Sequence, residues 1–392
     1  GWLGPEQLAA GSLATSVFYL LLIGGIGVVL ATAPLIAQAI GAHEARSVRR
    51  TVRQGFWIAF LATLVITPIV FQIGNFFRPT GQDPTIAALA ESYLSTAVLM
   101  VFPGLSIIVL RSLLAARGDS AVILWITIIG IFVNAAGNYG LMFGNFGLPR
   151  LELRGAGIST SIVNLVMFLA ALWFVTTHRR YKRYYVLVRL WKPDWPRFLL
   201  MLRLGAPIGL TLMSEVGLFA VASILMGLLG VAELAAHAVA LQLASIAFMV
   251  PLGLSQATTV RVGLAYGAND PEALRRAGWT SLALALVFML IPFSLFILFP
   301  SKLVGLYLDP ANPANRASLA LAASYLAVAA AFQVVDGAQT VMSAALRGMS
   351  DTRIPMIVAM IGYWGFGVGT AWFFGFILNW RGVGVWMGLA AG

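Results

Sequence analysis

Apolar stretches of roughly 20 to 30 residues, broken by short polar turns, fill almost the whole chain, and each meets the length a helix needs to cross a bilayer. They cover about residues 12–40, 55–76, 86–114, 121–143 and 155–176, then 205–229, 235–264, 278–299, 318–346 and 355–378, with a last run starting near Val383. Nothing alternates with the two-residue period of a transmembrane strand, so the pattern predicts helices throughout. One polar, basic stretch, His178 to Phe198, holds Pro193 and Pro196 and reads as a linker. The expected organisation is an N-terminal bundle over 1–177, a linker over 178–203 and a C-terminal bundle over 204–392.

The pattern also repeats. A shift of 226 positions lays Leu8–Arg50 on Leu234–Arg276 without a gap, and twelve of the 43 pairs are identical. Alanine matches carry little weight in so alanine-rich a chain. Gly27 with Gly253, Gly41-Ala42 with Gly267-Ala268 and Arg49-Arg50 with Arg275-Arg276 carry more, because they stand at helix breaks and charged turns. Further echoes pair Arg117-Gly118 with Arg347-Gly348 and Arg154-Gly155 with Arg381-Gly382. A period this long excludes a solenoid and implies two homologous halves. Extending the repeat to both ends gives six spans per half, with the first helix and most of the last absent from these residues. The chain opens on Gly1 with no charged segment ahead of an apolar core, so no signal peptide is expected.

Composition agrees. Sixty per cent of residues are hydrophobic and ten per cent charged, against about 25% charged in a soluble domain. The formal net charge of +11 would suggest nucleic acid in a soluble protein. Here the basic residues lie between spans, and membrane orientation accounts for them. Alternate connections hold nineteen and six of the 25 Lys and Arg residues, which puts the linker on the cytoplasmic side. Both halves then share one orientation, a parallel repeat whose substrate site is expected between the halves near the midplane. No cysteine, Walker motif, metal-ligand cluster or nucleophile–histidine pair is present, and the three histidines fall at span ends. An enzyme or an ATP-driven pump is not expected.

Most of the fourteen acidic residues, Glu233 among them, also fall at span ends or in loops. Glu215 and Asp336 lie well inside their spans, where a carboxylate costs a few kcal/mol unless it is neutral, paired or hydrated. They are the candidate proton- or cation-binding residues; the alternative is a structural hydrogen-bonding role. In the first half Asn134 and Asn138 share a helix face, and Thr160 and Asn164 follow on the next span. These four form a candidate polar site, with interhelical hydrogen bonding as the equally weighted alternative.

The stretches LAAHAVALQLASIAFMVPLGLSQATTVRVGLAYGAND, SEVGLFAVASILMG and VVDGAQTVMSAALRGMSDT resemble the multidrug and toxic compound extrusion family, and most of all its bacterial cation-coupled exporters. The resemblance runs over essentially the whole chain. It implies an all-α integral membrane fold of two pseudo-symmetric six-helix bundles and a monomeric antiporter of the bacterial inner membrane. Such an antiporter admits H+ or Na+ and expels amphipathic, mostly cationic drugs, with no cofactor and no metal beyond Na+ at Glu215 and Asp336. The acids at these two positions form the cation site of that branch, which often has a tyrosine one turn before the second acid. Phe332 stands there in this chain, which removes an oxygen ligand for sodium. The family's first helix carries an acid that works with asparagines at the positions of Asn134 and Asn138, and that helix is not in these residues. The related lipid-linked saccharide flippases are the alternative, but they should hold basic residues deep in the cavity. No span here has one near its middle.

Overall fold

A computed structural model describes residues 4–73 and 83–392. Phe76 and Arg78, expected at the end of the second span and in the connection after it, lie outside the described residues. The described residues are helical, with no strand among them. The first helices are α1 (Pro5–Leu30), α2 (Thr32–Gly41) and α3 (Ala45–Phe71), followed by α4 (Pro84–Ala97), α5 (Val101–Ala116), α6 (Ser120–Gly137) and α7 (Glu152–Thr177). Then come α8 (Trp195–Leu229), α9 (Val231–Gly267), α10 (Pro271–Leu298), α11 (Arg316–Gly348), α12 (Arg353–Met360), α13 (Val368–Trp372) and α14 (Arg381–Ala391). Ten stretches among the described residues are long and apolar enough to cross a membrane, in keeping with the ten spans expected. The span expected as one run over 12–40 is two helices, interrupted for one residue at Ala31.

The chain divides into two compact units, residues 1–209 and 210–392, and the division falls inside α8. In the first unit, α1 and α2 pack with α3, α4 and α5, and α7 lies against α4, α5 and α6. Leu94, Leu105, Leu110, Leu113 and Leu114 are fully buried at its centre. In the second, α11 packs along α9 and α10, and Met226, Tyr325, Leu326 and Trp386 are buried where α8, α11 and α14 converge. The outward faces are also apolar: Trp125, Phe132, Trp173, Ile224 and Val287 are each more than 60% exposed. In water such surfaces would drive aggregation; in a bilayer they are the solvated side.

The repeat read from sequence recurs in the way the helices end. Gly4 and Gly230, 226 positions apart, both take positive φ (113° and 139°) just before α1 and α9. Side chains other than glycine rarely adopt that region. The loops after α2 and α9 then close alike: His43 and Asn269 have φ of 61° and 53°. The amides of Glu44 and Asp270 bond back to the carbonyls of Ala39 and Ala265 at 2.8 and 3.1 Å. After α5 and α11, the Asp119 and Asp351 amides reach Leu114 and Leu346, each at 3.0 Å. Gln7 and Glu233, which correspond at the starts of α1 and α9, each bond to a residue at the start of a later helix, α7 and α14 respectively. Gln7 donates to Glu152 at 2.5 Å in the first unit, and Arg381 pairs with Glu233 in the second. A local chain path has therefore been used twice, although only part of the side-chain chemistry was kept.

Candidate functional site

Glu215 is held in place by its neighbours on α8. The Ser214 hydroxyl donates to Met360 Sδ at 2.8 Å. One turn further on, Gly217 is so close to Trp364 that a Cβ there would stand 2.9 Å from the indole Cζ2. These contacts press the acid-bearing turn of α8 onto the end of α12 and the π-helical turn that follows, Ile361–Gly367. Widened turns of this kind recur at functional sites because they release backbone groups from the regular ladder. Tyr363, buried within this turn, accepts a hydrogen bond from Gln339 Nε2 at 2.9 Å, and Gln339 is one turn along α11 from Asp336.

The result is a half-buried polar cluster within an otherwise apolar unit. Asp336 lies close enough to Glu215 for their charges to act on each other. Arg347, at the end of α11, acts on Glu215, and the Tyr363 hydroxyl sits in the field of both acids. With both carboxylates and the guanidinium ionised, the formal charge of Glu215, Asp336 and Arg347 is −1. In a poorly hydrated site, a net negative charge is stabilised by taking up one proton or one monovalent cation. The chain has Phe332 where the resembling branch often has tyrosine, yet Tyr363 brings a phenolic oxygen to the cluster from a different helix. No group of three or more His, Asp or Glu side chains poised to hold a metal occurs among the described residues.

The first-unit candidates form two hydrogen-bonded pairs. Asn138 Nδ2 donates to Asn134 Oδ1 at 3.0 Å, and Asn138 opens a second π-helical turn, Asn138–Met142. Asn164 Nδ2 donates to the Thr160 carbonyl at 2.9 Å, and its Oδ1 lies against Gly104 of α5. The link from α7 back to α6 is made by Ser159, whose hydroxyl reaches the Asn134 carbonyl at 3.5 Å.

The family model for MatE matches residues 1–140 and 207–373, which include Glu215, Asn134 and Asp336. The chain belongs to the MatE family. All of it aligns, at 44% identity over 394 residues, with 84% of the "Probable multidrug resistance protein NorM" of Mesorhizobium japonicum. Proteins of the same description from Rhizobium meliloti and a Synechococcus species are 45% and 40% identical, again with all of this chain and 84% of theirs covered. The fold matches "MATE in complex with MaD3S" at a TM-score of 0.89 and 21% identity, over 100% of this chain and 85% of that one. It also matches the "eukaryotic MATE transporter AtDTX14" at 0.85 and 20%, over 100% and 86%. As a MatE protein with bacterial relatives of this similarity and, among its described residues, ten stretches long and apolar enough to cross a membrane, the chain is a multi-pass transporter of the bacterial inner membrane and not an enzyme.

Within this MatE chain the sequence reading missed three members of the cluster. Arg347 enters the sequence pattern as the repeat counterpart of Arg117 and as one of the basic residues of the cytoplasmic connections, and Tyr363 and Gln339 carry no such mark. An amide three residues after Asp336, on the same helix face, was the available signal for Gln339. A tyrosine among Gly362, Gly365 and Gly367 was the signal for Tyr363. Two residues placed at span ends are also more buried than that position suggests. Glu233 is 6% exposed and His237 1%; His237 Nε2 lies 3.2 Å from Ser223 Oγ, and its ring meets Trp386 edge-on.

Proposed function

We propose that this MatE transporter is a secondary antiporter that exports amphipathic, mostly cationic drugs in exchange for H+ or Na+. The observation that carries the reading is the grouping of Glu215, Asp336 and Arg347 in the second unit, with a formal charge of −1 and two oxygen-bearing partners, Tyr363 and Gln339. A site with one uncompensated negative charge holds one proton, one sodium ion or one cationic drug at a time, and mutually exclusive occupancy is what exchange requires. The multidrug description of the bacterial relatives supports the substrate class.

The alternative, a flippase for lipid-linked saccharides, calls for several basic residues deep in the cavity, whereas the cluster has one, Arg347, against two acids and is left with a formal charge of −1. Arg111 and Arg347 sit near the ends of α5 and α11 rather than at mid-span. Dye efflux from everted vesicles energised by a proton gradient or a sodium gradient alone tests the proposal and identifies the ion. Efflux under neither gradient refutes it.

A further inference from the structure

We propose that the linker over 178–203 is an interfacial binding site for anionic phospholipid headgroups. The inference is independent of which compounds the protein exports.

The linker is folded rather than slack. Tyr181, Tyr184 and Val186 are buried at 1–4% exposure. The Tyr181 hydroxyl donates to Asp119, which is also paired with Arg180 at 2.9 Å. Burial and that carboxylate together push the phenol well above its ordinary range, so the hydroxyl keeps the proton it donates at neutral pH. Further on, Trp57 Nε1 of α3 donates to the Leu190 carbonyl at 2.8 Å, and Arg53 donates to the Arg189 carbonyl at 3.3 Å. Asp194 accepts from Arg50.

This docking decides what faces outward. Tyr185, Leu187, Val188, Trp191 and Trp195 are 42–77% exposed, and Arg183, Arg189 and Lys192 are exposed among them. Two nearby carboxylates are already engaged, Asp119 by Arg180 and Tyr181 and Asp194 by Arg50, and a third, Glu44, acts on Arg197. Among the described residues none of the three cations has an acidic partner.

Aromatic rings interleaved with cations that have no acidic partner suit the headgroup layer, where rings sit at the apolar boundary and cations meet phosphate; Arg183 reaches only the Tyr184 hydroxyl, at 3.1 Å. The position fits as well, since the linker leaves one membrane-crossing helix, α7, and enters another, α8. A protein partner would have to supply both the apolar cover and the negative charge. A leaflet rich in anionic lipid supplies both at the place where the segment begins and ends.

Acyl-brominated lipids provide the test, since they quench tryptophans that enter the membrane boundary. The protein is reconstituted in vesicles carrying brominated phosphatidylglycerol or brominated phosphatidylcholine. Trp191→Phe/Trp195→Phe identifies the signal of the linker. Phosphatidylglycerol should quench that signal more strongly. Its preference over phosphatidylcholine should fall about five-fold for each basic residue removed in Arg183→Gln, Arg189→Gln and Lys192→Gln. All three side chains are exposed, and replacing Arg189 and Lys192 leaves the docking bonds in place, so thermal unfolding of those two variants should not change; Arg183→Gln also loses the 3.1 Å hydrogen bond to the Tyr184 hydroxyl, and Arg183→Lys serves as its control for folding. Equal quenching by the two lipids, a preference that survives the triple substitution, or a signal that neither lipid quenches would each overturn the proposal. Added inorganic phosphate should not compete; if it restores fluorescence, the site takes free anions rather than lipid.

Discussion

The Gln339 amide donates to the Tyr363 hydroxyl at 2.9 Å, joining the acid-bearing stretch of α11 to a π-helical turn that also packs against α8. This bond fixes an oxygen beside two carboxylates on separate helices. Tyr363→Phe removes that oxygen and leaves Gln339 without its partner, at a stability cost of about 1–3 kcal/mol. Efflux should slow several-fold, and any sodium-driven component should be lost before the proton-driven one, because sodium needs the ligand and a proton does not. Efflux rates under the two gradients, measured beside the melting temperature, separate these effects.

The acids themselves allow the sharpest test. Glu215→Gln and Asp336→Asn should each abolish gradient-driven efflux without unfolding the protein. The double substitution should be little worse than either, because the two residues act as one unit. Wild-type rates in both variants under both gradients would make the acids structural.

Arg347 supplies the only positive charge assigned to the cluster. Arg347→Gln takes its formal charge from −1 to −2, so a lipophilic monovalent cation should bind more tightly and leave more slowly. Arg347→Lys should stay near wild type. Equilibrium binding of a radiolabelled organic cation reads this directly, and weaker binding in the Gln variant contradicts the assigned role.

Outside the membrane, the hydrogen bond from Arg50 holds the Asp194 carboxyl below its ordinary range. A depressed carboxylate stabilises the fold above the unfolded-state pKa, and the contribution is lost as pH falls through the folded-state value. Much of Arg50 is exposed, so the pair is worth roughly 0–1 kcal/mol. Asp194→Asn should therefore lower the melting temperature slightly at neutral pH, and the difference should vanish in acid. A constant difference across the range would assign the effect to packing.

The orientation of the linker is open to labelling, since the chain has no cysteine of its own. Tyr184 is only 3% exposed and would make a poor site, whereas Tyr185 is 61% exposed. A thiol introduced by Tyr185→Cys should resist an impermeant reagent outside intact cells and react in everted vesicles.

Much of this protein was legible in its sequence because the features concerned are local. Span length follows from bilayer thickness. The 226-residue shift shows itself in glycines and turn residues whose backbone angles then recur, as at Gly4 with Gly230 and His43 with Asn269. Glu215 and Asp336 stand out because a charge within an apolar span is conspicuous whatever surrounds it. The sequence also placed Asn134 and Asn138 one turn apart, and the structure joins them.

The company those residues keep was decided by the tertiary structure. In a soluble helix the polar stripe marks the outer face, and from it the buried partners can be inferred. Here the lipid-facing and packed sides are both apolar, so periodicity does not say which way a helix turns. That Tyr363 comes within the field of Glu215 depends on a widened turn and on the close approach of Gly217 to Trp364. Arg347 looked like one more cytoplasmic arginine because its position near a helix end is visible in the sequence, while the direction of its long side chain is not. Packing between helices fixes that direction, and with it the charge of the site.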